Sequence, residues 1–130
     1  MFMGATGAAA YKRAVMSSEI PDLEWIARGW RGLRTYLSAA TRALDRQDLT
    51  ARSAACGRAS ELLVMLRQIT PNGPDFELGE RLAAIYDTLH IELAKANALG
   101  DRETLQGIIH ALATLEAAFT PSDEHNGAGR

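Results

Sequence analysis

The chain has one cysteine, Cys56, four prolines and few aromatics, which make up 6% of its 130 residues. A single thiol cannot close an intramolecular disulfide, so nothing in the sequence asks for an oxidising compartment. No run approaches the ~18 consecutive apolar residues that a membrane span needs. The opening MFMGATGAAAYKR reaches its basic pair only at Lys12 and Arg13, the reverse of the charge order in a secretory signal. A P-loop, a dinucleotide fingerprint and a Gly-x-Ser-x-Gly elbow are all missing. β-Branched residues are few, and no stretch alternates with period two for long enough to make a strand. The expectation is a small cytosolic protein with no membrane segment, no sheet and no recognisable catalytic motif.

What is present is helical. Hydrophobic residues make up 47% of the chain and charged ones 23%, ordinary values for one globular domain that buries roughly two-thirds of its unfolded surface. Ile20-Pro21 opens the first long segment, since proline fits a first helical turn. Asp45-Arg46-Gln47-Asp48 is a polar break, and Thr70-Pro71-Asn72-Gly73-Pro74 is the strongest turn signal. Leu99-Gly100-Asp101 reads as glycine at a helix C-terminus followed at once by an aspartate N-cap.

Between the breaks, apolar residues recur at spacings of three and four. The first stripe is Leu23, Ile26, Trp30, Leu33, Leu37, Ala40 and Leu44; the second is Ala55, Ala59, Leu62, Leu66 and Ile69. The third is Leu78, Leu82, Ile85, Leu89, Leu93 and Ala96; the fourth is Leu105, Ile108, Leu112, Leu115 and Phe119. Four amphipathic helices joined by short loops pack antiparallel around one core. The pattern therefore predicts an all-α, up-down four-helix bundle over residues 21–121, with helices at about 21–46, 49–69, 76–98 and 101–119. An N-terminal arm over 1–20 has room for a short fifth helix, and 122–130 reads as a flexible tail.

Charge is uneven beneath a net value of −2. Arg28 to Arg67 holds eight basic residues against three acids, and Gln68 to Pro121 holds eight acids against three basic residues. This balance is read as two helical halves that neutralise each other, and not as a nucleic-acid groove, because the arginines are spread through a helical pattern. Candidate chemistry is sparse. Asp87 and His90 share a helix face, but a metal pair in a bundle needs more histidines and glutamates than this chain supplies. His90 is expected at the surface or flank of its helix. Cys56 is read as a small buried or half-buried side chain. Arg28, Arg31 and Arg34 are weighed as dicarboxylate ligands of an all-helical chorismate mutase, yet they lie beside the apolar stripe. No cofactor and no metal are expected.

Apolar residues off the stripes carry more information. Met1, Phe2, Met3, Tyr11, Val15 and Met16 sit on an arm too short to bury them, and Trp25 and Tyr36 fall beside the first stripe. The arm is either a structural cap on the bundle or a displaceable cover over a groove for a partner helix.

The order Ala10-Tyr11, Val15, then Pro21 opening a long helix resembles the FliS-type flagellin export chaperones. So do Ala43-Leu44 with Asp45, Asp48 and Leu49, and a third helix with Leu82, Ile85-Tyr86-Asp87, Leu89, Leu93 and Ala96-Asn97, followed by Asp101 and Leu105. Ala118-Phe119 stands where that family commonly has Ala-Trp. The first helix departs: the family's apolar run with Tyr-Asp-Gly is replaced by Asp22 to Gly32, with two tryptophans and several arginines.

The resemblance implies a cytosolic chaperone that binds the C-terminal segment of flagellin, prevents premature polymerisation and supports secretion through the flagellar export apparatus. It is not an enzyme. It implies partner contacts at Tyr11 and Val15 in the arm, and at Ile85, Tyr86, Leu89, Leu93 and Asn97 in the third helix. Ile85, Leu89 and Leu93 also read as core, and Tyr86, one position off the stripe, as the surface contact. The alternatives are a bundle adaptor for another protein or for itself and, more remotely, the mutase. No nucleic-acid or membrane partner is expected, and the oligomeric state is open.

Overall fold

The computed structural model describes residues 23–119. The predicted arm, with Tyr11 and Val15, and the predicted tail lie outside the described residues. Four helices account for nearly all of the rest: α1 is Leu23–Asp45, α2 Leu49–Ile69, α3 Glu77–Leu99 and α4 Arg102–Ala118. No strand occurs among the described residues. Each helix packs against its neighbours in sequence, and α1 closes the ring against α4. This is the antiparallel four-helix, all-α architecture that the stripes predict.

The loops follow from local chemistry. α1 ends with the amide of Gln47 donating to the Leu44 carbonyl and that of Asp48 to the Ala43 carbonyl. Asp48 then caps α2 by accepting from the Ala51 amide. α3 ends in the same way, with the Asp101 amide donating to the Ala96 carbonyl and the Asp101 carboxylate capping α4 at the Thr104 amide. Gly100 adopts the left-handed conformation that this ending requires, with φ 64°, as read from Leu99-Gly100-Asp101. Between α2 and α3 the loop turns so tightly that Gly79 lies directly under the Pro71 carbonyl. A Cβ there would stand 1.5 Å from that oxygen.

The core follows three stripes closely and shifts on the other. Leu23, Ile26, Trp30, Leu33, Leu37 and Ala40 of α1 are buried, as are Leu78, Leu82, Leu89, Leu93 and Ala96 of α3 and Leu105, Ile108 and Leu112 of α4. On α2 the buried set is Cys56, Ala59, Leu63 and Leu66, while Ala55 and Leu62 are half-buried and Ile69 is exposed. The shift has a cause in α1. Gly29 and Gly32 carry no side chains, so Leu66 and Leu62 approach the α1 backbone closely, and α2 turns its Leu62–Leu66 edge toward α1.

Charges neutralise across the bundle. Arg31 and Arg34 of α1 both reach Glu116 of α4, Arg67 of α2 pairs with Asp87 of α3, and Arg102 of α4 pairs with Asp45 of α1.

Candidate functional site

The family-like residues of α3 prove to be ties that hold the bundle together. Tyr86 is fully buried, which corrects its reading as a surface contact. Its phenol oxygen accepts a 2.9 Å hydrogen bond from the Trp30 indole and lies near Thr70, whose own hydroxyl donates to the Leu66 carbonyl. Burial pushes the phenol pKa up, and Trp30 and Thr70 oppose that rise. The misreading arose because α3 buries a wide face in which Tyr86 replaces Ile85, and Ile85 is only half-buried. Leu89 and Leu93 are core. Asn97 is tied to Arg52 of α2, whose guanidinium donates to the Asn97 side-chain oxygen at 3.3 Å and to its backbone carbonyl at 2.8 Å.

The seam between α2 and α3 is therefore laced by polar contacts at intervals. After Arg52–Asn97 comes Ser60 against His90 at 2.7 Å, then Arg67 donating twice to Asp87 at 2.7 and 3.1 Å. The Arg67 guanidinium holds the Asp87 carboxyl below the usual carboxylate range. Between these ties lies a cleft of about 220 Å³ lined by Leu63, Val64, Arg67, Tyr86, Asp87 and His90, with Gln68 at its edge. It has an apolar floor and a charged rim.

Beside this cleft α2 exposes apolar side chains on both sides of a polar strip formed by Glu61 and Gln68. Val64 is 43% exposed, Met65 54% and Ile69 48%, and Ile91 across the cleft on α3 is 59% exposed. Such a row at i, i+1 and i+5 on one helix is the kind of surface into which an amphipathic partner helix lays its own apolar anchors. A strict single-stripe reading missed it, because Ile69 was counted as core and Val64 and Met65 belong to no stripe. The signal was present as an apolar run, Leu62-Leu63-Val64-Met65-Leu66, too long for one helix face to bury.

The other candidates resolve into structural roles. Arg28 is exposed beside Glu24, and Arg31 and Arg34 are both tied to Glu116, so none of the three enters the bundle as a mutase ligand would. His90 is engaged by Ser60 and Asp87 by Arg67. No group of three His, Cys, Asp or Glu side chains that could hold a metal occurs among the described residues. Cys56 is buried, and burial raises its thiol pKa against the smaller opposing pull of Arg52. Among the described residues no helix is long and apolar enough to cross a membrane.

The model of a protein family described as "Flagellar protein FliS" matches residues 7–125, a span that takes in all four helices and nearly the whole chain. No curated protein matches it.

Proposed function

This chain belongs to the FliS family of cytoplasmic, non-enzymatic flagellin export chaperones, and from that premise we propose how it holds its client. The C-terminal segment of flagellin lies as an amphipathic helix along the outer face of the second half of α2, with its apolar anchors on Val64, Met65 and Ile91 and over the α2–α3 cleft. The observation that carries this reading is the uncovered apolar row on α2 beside a cleft with a charged rim. A segment disordered before assembly gains from burying its apolar face there and gives back part of that gain in chain ordering.

Within this reading the α3 residues act from beneath. Tyr86 forms part of the cleft floor, Leu89 and Leu93 support it from the core, Ile85 packs against the core edge, and Asn97 fixes the far end of the seam through Arg52. Tyr11 and Val15, outside the described residues, contribute the arm's contacts to the client. The loaded chaperone is then presented to the flagellar export apparatus. The work is binding without turnover.

A direct test is titration of a labelled peptide spanning the flagellin C-terminal segment against the wild-type chain, Val64→Asp and Met65→Asp, with circular dichroism to check folding. Both side chains are already largely in water, so the variants should fold normally and bind at least about tenfold more weakly. Folded variants that bind as tightly as wild type would place the client elsewhere.

A further inference from the structure

Trp25 is the largest exposed apolar side chain among the described residues, at 64%, and the client surface above does not use it. Its position is set by the α1–α2 contact. A Cβ on Gly29 would meet the Leu66 side chain at 2.6 Å, and one on Gly32 would meet Leu62 at 3.2 Å. This register pairs α1 with α2 in opposite directions. One turn before Gly29 on the same face of α1 is Trp25; one turn after Leu66 on α2 is Ile69, and Met65 lies one turn before Ile69. Trp25 therefore stands on the α1 wall of the groove whose α2 wall carries Ile69 and Met65.

The indole has one charged neighbour. The Arg28 guanidinium sits 5.1 Å from its ring centroid, and Arg28 is in turn 3.8 Å from Glu24. A large amphipathic ring with few torsions to fix is the kind of side chain that dominates the energy of an interface. Met65 and Ile69 lie on the α1 side of α2 and Val64 on its α3 side, with the exposed polar side chains of Glu61 and Gln68 between them, so a segment that reaches Trp25 from the α2–α3 cleft crosses a narrow polar strip.

We propose that Trp25 is an anchor of the client interface: the flagellin C-terminal segment crosses α2 and packs an apolar side chain against Trp25, Met65 and Ile69. This rests on the client assignment made above and adds to it a contact on α1.

The chain's two tryptophans make the test direct, since Trp30 is fully buried and Trp25 is not. A tryptophan-free peptide spanning the flagellin C-terminal segment is added to the full-length protein. Binding is followed by anisotropy of a label on the peptide, and the environment of Trp25 by intrinsic emission. The expected result is a blue shift on binding that is absent in Trp25→Phe, and a Kd weakened about tenfold or more in Trp25→Ala with unchanged circular dichroism. A peptide that binds without moving the emission, and binds Trp25→Ala within twofold of wild type, overturns the anchor and leaves the client assignment standing. A peptide that does not bind at all overturns both. Trp25 emission, taken as the difference between wild type and Trp25→Phe, that is already blue before any peptide is added and unchanged by it also overturns the proposal: in a monomer it assigns the groove to residues 1–22, and in a dimer to a second copy of the chain.

Discussion

Trp30 on α1 and Tyr86 on α3 meet through one buried 2.9 Å hydrogen bond across the diagonal of the bundle. The indole can only donate, so Tyr86 accepts from Trp30, while the Thr70 hydroxyl at the end of α2 donates back to the Leu66 carbonyl at 2.7 Å. Phe119 closes the other side of Trp30, with ring centroids 5.8 Å apart.

Tyr86→Phe would keep the ring and leave the Trp30 N–H buried with no acceptor. The expected loss is about 1–3 kcal/mol, read as a lower urea midpoint at unchanged slope. Trp30→Phe paired with Tyr86→Phe should cost less than the sum of the singles, because no donor is then stranded. Additive losses would mean that the bond contributes nothing specific.

The glycines make a graded series. Gly57 and Gly107 are on helices with nothing within 4 Å of an added Cβ, so alanine there should raise stability by roughly 0.5–1 kcal/mol through helix propensity alone. Gly29→Ala must displace the tip of Leu66 and should cost about 1–3 kcal/mol. Gly79→Ala would drive a methyl into the Pro71 carbonyl, a backbone atom that cannot step aside, and should cost more than about 4 kcal/mol or prevent folding. Thermal melts of the four variants check the order.

The stripes made three of the four buried faces legible, because period 3.6 is a property of one helix. What they could not show is how two helices rotate against each other. Ile69 is exposed and Leu63 buried because Gly29 and Gly32 draw Leu62 and Leu66 onto α1, a relation between residues 30 and 37 positions apart. The candidate site suffered most from this. The motif-bearing residues Tyr86, Asp87 and Asn97 are recognisable in sequence, yet each spends its polar group on a tie to another helix, while the uncovered row on α2 has no motif at all.

Acid should weaken the bundle. The carboxyls of Asp45, Asp87 and Asp101 are all held below their ordinary value, by Arg102, Arg67 and the Thr104 cap respectively. A group whose folded pKa lies below its unfolded one stabilises fully above the unfolded value, near 3.9, and loses that contribution as pH falls through the folded one. Urea midpoints should therefore be flat from about pH 7 to 5 and drop below about pH 4. Asp87→Asn should flatten part of that drop. Asp45 and Asp87 are exposed and Asp101 half-buried, so each share is small, and salt should reduce the ion-pair shares of Asp45 and Asp87.

Cys56 should be inert in the native state. It is buried on α2 and its thiol pKa is raised, so little thiolate is present at pH 8 and access is blocked. A disulfide reagent should react slowly with the folded protein and stoichiometrically in denaturant. Rapid native reaction at pH 8 would show that the α2 face opens readily.

The two loops at one end of the bundle use the same ending with different residues, and the difference predicts a stabilising substitution. After α3 the left-handed position is Gly100 at φ 64°; after α1 it is Gln47 at φ 59°. The hydrogen bonds around Gln47 are complete, with 2.9 Å from its amide to Leu44 and 2.8 Å from the Asp48 amide to Ala43. The loop geometry is thus met, but a side chain is held where its Cβ crowds the backbone, at a cost of roughly 1 kcal/mol relative to glycine. Gln47 is exposed and lies at the opposite end of α2 from the proposed client surface. Gln47→Gly should therefore raise the melting temperature by a few degrees, part of the gain being offset by the extra freedom of glycine in the unfolded chain, and leave peptide binding unchanged. Gln47→Ala keeps the Cβ and should show no such rise. If both variants melt alike, the left-handed position carries no strain.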